Sequence, residues 1–93
     1  MSDQEPSVSF AAFVMSLATT AAVHFGDIPD PAGGATKADL PAARQMIDIL
    51  AMLQDKTTGN LSDEEKQLVD TLLYELRLRY VEASQGEKRI ITP

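Results

Sequence analysis

His24 is the only imidazole in the chain, and the chain has no cysteine. A lone histidine can act as a general base or bind a metal, but both roles need partners. No carboxylate stands four residues to either side of His24, so no helical ligand pair forms around it. A Ser-His-Asp arrangement would have to assemble in three dimensions, because the sequence lacks nucleophile-elbow spacing. The reading that remains is a histidine near a helix end, its ring hydrogen-bonded to last-turn carbonyls. Disulfides and thiolate zinc sites are excluded by the missing cysteines.

Asp48 interrupts the run Met46-Ile47-Asp48-Ile49-Leu50, which raises the prospect of a buried carboxylate. On a helical wheel Asp48 falls within about 40° of both Arg44 and Asp55. That places it on a solvated polar arc, paired with Arg44 four residues earlier for about 0.2–0.5 kcal/mol. The other reading is an intersubunit pair to Arg77 or Arg79. Lys56-Thr57-Thr58-Gly59-Asn60 has the residue types of a phosphate loop but the wrong order. Its glycine follows a helix and ends it, with no preceding strand. Asp63, Glu64 and Glu65 read as an acidic first helical turn rather than a cation site. No residue qualifies as catalytic, cofactor-binding or metal-ligating, and no cofactor is expected.

The elements that would position these residues are three helices. Helix 1 is predicted over about 8–25, capped by Ser7 or Ser9 and stopped by Gly26 at the left-handed C′ position. Phe10, Phe13, Val14, Leu17, Ala21, His24 and Phe25 share one arc, while the opposite arc holds Ser16, Thr19 and Thr20 without any charge. Surface helices usually carry charges outside, so helix 1 is expected to be covered on more than one side. Residues 26–39 form a linker by composition, long enough for helix 1 to cross over or to reach a neighbouring subunit.

Helix 2 is predicted over about 40–58, with Asp39 as N-cap, Pro41 in the first turn and Gly59 at C′. Its apolar arc, from Ala43 through Ile49 to Leu53, spans about 200° and should touch two partners. Helix 3 is predicted over about 62–84. Ser62 and Glu65 fit a capping box, and Gly86 lies just past the expected end. Val69, Leu72, Leu73, Leu76 and Tyr80 make its main stripe. The short joint Gly59-Asn60-Leu61 forces helices 2 and 3 into an antiparallel hairpin. No heptad pattern is long enough for a coiled coil. A flexible tail, 85–93, carries Ile90 and Ile91, whose docking place the sequence does not give.

The whole chain has 93 residues, of which 44% are apolar, enough for a single domain with a modest core. Acidic residues outnumber basic ones 14 to 8, for a net charge of −6. That balance excludes a nucleic-acid module, which needs clustered Lys and Arg. Asp3 and Glu5 stand where a secretory signal would need positive charge. The uncharged stretch 6–26 matches a membrane span in length, but it is rich in Ala, Ser and Thr and has no basic flank. A buried helix in a cytoplasmic protein is the expectation.

Taken together, several runs are familiar: Phe10 and Leu17-Ala18; Asp39-Leu40, Ala43-Arg44 and Ile47 to Leu53; Lys56 to Ser62 with Glu65; and Leu72 to Arg77 with Tyr80. The sequence resembles a bacterial family known only as domain of unknown function 1844, over about residues 8–82. The resemblance implies a short, stand-alone, helical, cytoplasmic protein. It implies no activity, cofactor or catalytic residue.

The expected fold is all-α, a hairpin of helices 2 and 3 with helix 1 packed across it or onto a neighbouring subunit. The expected function is a non-enzymatic helical interaction or regulatory module that assembles with itself, as a dimer first and a tetramer next. Tyr74, Leu78 and Val81 fall opposite the main stripe of helix 3, at i, i+4 and i+7. With Phe10, Phe13 and Leu17 they form the expected oligomer interface. A second reading is a binder of a small apolar ligand or lipid, walled by helix 1. A third is an enzyme whose site assembles across subunits.

Overall fold

A computed structural model describes residues 8–30, 33 and 37–89, with side chains up to Gly86. Three helices form: α1 (Phe10–Phe25), α2 (Leu40–Lys56) and α3 (Asp63–Arg89). There is no strand among the described residues, and each helix packs against the other two. Two helix starts are closed by the caps expected of them, and the third by the nearer of two candidate serines. Ser9 accepts the Ala12 N–H at 3.0 Å, so the cap of α1 is Ser9. Asp39 accepts the Ala42 N–H at 3.1 Å. At α3 the Glu65 N–H donates to Ser62 Oγ at 3.1 Å while the Ser62 N–H donates to Glu65 Oε1 at 2.9 Å. That reciprocal exchange is a complete capping box.

The ends differ more. α1 stops at Gly26, which is left-handed at φ 82. The Gly26 and Asp27 N–H groups turn back to the Val23 and Ala22 carbonyls at 2.9 Å each. α2 ends at Lys56, two residues before the expected Thr58. Thr57 and Thr58 finish it instead, their hydroxyls donating to the carbonyls of Leu53, Gln54 and Asp55. Gly59 follows at φ 86. α3 continues through Ser84 and Gly86 to Arg89. A glycine inside a helix costs about 1 kcal/mol relative to alanine but does not break it, and Gln85 and Glu87 to Arg89 are good helix formers. Ile90 and Ile91, for which the sequence gives no docking place, lie outside the described residues.

The core is built from all three helices. Val14, Ala21 and Phe25 of α1, Ala43, Ile47 and Leu50 of α2, and Val69 and Leu73 of α3 are buried together. Leu72, Leu76 and Tyr80 pack against this cluster, as do Phe10 and Leu17. The wide apolar arc of α2 is explained by its two partners, α1 and α3. Gln54, near the end of α2, donates to Asp70 in the second turn of α3 at 2.7 Å. Arg44 and Ile47, near the start of α2, lie beside Arg77 and Tyr80. Contacts therefore advance along α3 as they retreat along α2.

α1 packs on the helices of its own chain, and the linker brings it back rather than away. The Asp39 N–H donates to the His24 carbonyl at 2.6 Å, so the two ends of the 26–39 connection meet. Ala38 lies against Gly26, where an added Cβ would come within 3.6 Å of its backbone. Arg79 of α3 closes the same corner. Its Nε and Nη2 donate to the two Asp27 carboxylate oxygens at 2.8 and 2.7 Å. Its guanidinium also lies 5.3 Å from the centre of the Phe25 ring. A bidentate pair stacked on an aromatic ring is a geometry only Arg provides.

Three outcomes follow from this architecture. Gly59→Ala meets open space for its Cβ, so its cost is left-handed strain, about 1 kcal/mol or more, read as a lower melting temperature. Ser62→Ala should lower the denaturant midpoint by the equivalent of about 0.5–2 kcal/mol through loss of the cap. The Arg79 hydrogen bonds hold the Asp27 carboxyl below the ordinary value of 3.8, against the opposing pull of partial burial. The folded chain thus binds this proton more weakly than the unfolded chain. The resulting stability is complete above the ordinary value and is lost as pH falls through the lowered one. Asp27→Asn should therefore melt below the wild type at pH 7, with the gap closing in acid. A constant gap at every pH would remove the ion pair from the account.

Candidate functional site

Helix α3 has more apolar surface than its own chain covers. Val69, Leu72, Leu73, Leu76 and Tyr80 face the core. Tyr74, Leu78 and Val81 lie on the other side and are 68%, 47% and 49% exposed. The helical period puts them there: residues spaced by seven and four share a face, and this face lies about 140° from Val69. In a single chain this exposure is common to an interface and to a bare surface.

The stripe borders two shallow depressions along the seam between α2 and α3. One, of about 320 Å³, is lined by Gln54, Asp70, Leu73, Tyr74, Arg77, Leu78 and Val81. The other, of about 370 Å³, is lined by Arg44, Ile47, Asp48, Arg77, Tyr80 and Val81. Arg77 and Val81 line both, so the two adjoin along one trough-shaped seam. A third depression, about 510 Å³, sits at the α2–α3 turn beside Thr57, Gly59, Leu61 and Lys66. Three of its polar side chains, Gln54, Lys66 and Asp70, already bond to one another. Lys66 donates to Asp70 at 2.9 Å and Gln54 donates to the other Asp70 oxygen. Lys66 first and Gln54 second hold the Asp70 carboxyl below its ordinary value.

The charges around the trough are arranged differently from the sequence expectation. Arg44 and Asp48 are both exposed, as expected, but they do not pair with each other. Both side chains instead line the trough that α3 shares, which leaves each charge to water. Arg77 is exposed between Tyr74 and Val81 and, among the described residues, enters no ion pair. Arg79, the other candidate for an intersubunit pair with Asp48, is already held by Asp27.

The α1 residues expected at an interface separate into two groups. Phe10 and Leu17 are half-buried against the chain's own core. Phe13 is 45% exposed, alongside Val8 and Met15. The hydroxyls of Ser16, Thr19 and Thr20 donate to the carbonyls of Phe13, Met15 and Ser16 at 2.7, 3.0 and 3.0 Å. The outer face of α1 is therefore uncharged, with its hydroxyl protons satisfied internally. The chain covers one side of α1 rather than two.

His24 is half-buried, and among the described residues its ring makes no hydrogen bond. The expected bond to last-turn carbonyls is replaced by the backbone turn at Gly26, whose N–H groups take the Ala22 and Val23 carbonyls. Among the described residues no group of three or more His, Asp or Glu side chains is placed to hold a metal ion. The Asp27–Arg79 clasp escaped the sequence reading because 52 residues separate its members. The place of Arg77 in the trough had a signal, its position inside the 74–81 stripe.

No described helix is long and apolar enough to cross a membrane. Comparison with curated proteins and with solved structures returns no match. The residues that form the core, both expected caps of α2 and α3, and the α3 stripe all fall within 7–82, the segment matched by one family model. On that match the chain belongs to the family described as a domain of unknown function, DUF1844.

Proposed function

We propose that this chain is a non-enzymatic interaction module of the cytoplasm, and that it assembles with itself through the outer face of α3. The observation that carries the reading is the stripe of Tyr74, Leu78 and Val81, exposed at 68%, 47% and 49% on a helix whose opposite face is buried. Isolated exposed apolar residues are ordinary. Three at i, i+4 and i+7 make a continuous strip along two turns, flanked by a trough. Tyr is enriched at the centres of protein interfaces, where it supplies a large contact area at a small entropy cost. A two-fold dimer is the simplest closed assembly of one such face. The uncharged outer face of α1 leaves room for a second contact and a tetramer.

Light scattering coupled to size exclusion tests the proposal. At micromolar concentration the wild type should elute as a dimer or larger. Tyr74→Glu and Leu78→Glu place a charge in the strip without touching the core, so each should give a smaller particle with unchanged helix content. A monomeric wild type would overturn the proposal.

A further inference from the structure

We infer that the second copy docks with its α3 parallel to the first, so that Glu82 of each protomer enters the Arg44–Arg77 trough of the other. The inference rests on the self-assembly proposed above and adds its geometry. The strip extends beyond its three apolar members. Thr71, Tyr74, Leu78, Val81 and Gln85 are spaced three, four, three and four residues apart, and all five are exposed. That is the seam spacing of two packed helices. Two heptads are too few for a free coiled coil, but here the helix is already held by a folded hairpin.

Around its centre the flanks of this seam carry opposite signs, while further back Asp70, on the Arg77 side, is paired with Lys66. Glu75 and Glu82 lie about 70–90° to one side of it, and Arg77 lies about 70° to the other. Arg77 is on the side of α2, where it shares a depression with Arg44 and Asp48. Arg44, Glu75, Arg77 and Glu82 make no ion pair among the described residues. Arg79 feels the charge of Glu82, but its own hydrogen bonds go to Asp27.

In an antiparallel packing of two such helices, like flanks meet. Arg77 would lie beside Arg77 of the copy in one register, and Glu75 beside Glu82 in the next. In a parallel packing the two different flanks meet, so a residue on the Arg77 flank faces the one five positions later on the partner's other flank. Asp70 on that flank faces Glu75, with its charge offset by Lys66 at 2.9 Å. Five positions after Arg77 is Glu82. The parallel dimer thus makes two symmetric Arg77–Glu82 pairs and puts each carboxylate near two otherwise unpaired guanidinium groups. Charge pattern at a rim sets register and orientation more than total affinity.

Charge reversal separates the two arrangements. Dimer dissociation constants would be measured by sedimentation for the wild type, Arg77→Glu, Glu82→Arg and the double variant, each checked for wild-type helix content. The parallel arrangement predicts that each single reversal weakens the dimer by about tenfold and that the double variant returns to within about threefold of the wild type. An antiparallel dimer predicts instead that Glu82→Arg tightens the contact by facing Glu75, and that Arg77→Glu changes little. Either of those results overturns the inference while leaving self-assembly intact. A wild type that is monomeric overturns both. The chain has no cysteine, so Gln85→Cys gives a second readout under mild oxidation. Parallel seams bring residue 85 to its own copy and give a covalent dimer. Antiparallel seams bring it to Tyr74 or to Gln67 and leave the thiol free.

Discussion

The cluster that joins Val14, Ala21 and Phe25 to Ala43, Ile47, Leu50, Val69 and Leu73 sets the position of everything else in this chain. Each helix can turn only one face toward it. α2 sits between two partners and spends most of its circumference there. α1 and α3 each have a covered side and an open side. The open side of α1 is neutral and hydroxyl-lined, and that of α3 is apolar with charged borders. Those two faces carry most of the large apolar side chains left exposed among the described residues, with Met52 of α2, Val8 before α1 and Ile28 beyond it as the others.

Among the described residues the core buries eight side chains, of which only Phe25 is aromatic; that is modest for holding three helices in one arrangement, and the α1 corner shows how it is supplemented. The Asp39 N–H closes onto the His24 carbonyl, Gly26 lets Ala38 come close, and Arg79 grips Asp27 while lying against Phe25. The closure of a connection of this length costs entropy that grows only slowly with its length, so a few directed contacts at its ends suffice to offset it. An exposed ion pair alone is worth little. The clasp gains from being bidentate, from stacking on the ring, and from sitting where three segments converge.

Much of this was legible in the sequence because it depends on local chemistry. Asp39 and the Ser62–Glu65 exchange follow from which side chains can reach a free N–H, and the left-handed Gly59 from which residue tolerates that backbone. The stripe of Val69 to Tyr80 follows from the helical period. The end of α3 was not legible, because an isolated glycine weakens a helix without dictating its stop. Arg44 and Asp48 show a different limit. Four-residue spacing permits a pair worth only a fraction of a kcal/mol, and hydration of two exposed side chains competes on equal terms. The linkage of Asp27 to Arg79 depends on where the fold brings two distant residues, which no local pattern encodes.

The length of α3 has one more consequence. At 1.5 Å per residue its 27 residues reach about 40 Å, while the 16 of α1 and 17 of α2 reach about 25 Å. Contacts with the core end near Ala83, and Glu82, Gln85 and Gly86 are exposed. The helix is therefore one continuous rod with very different local free energies along it. Amide protons around Val69 and Leu73 are expected to exchange with solvent only on opening of the core, and those past Ala83 through fraying of the last turns. The far end of α3 is thus expected to open independently of the bundle that anchors it.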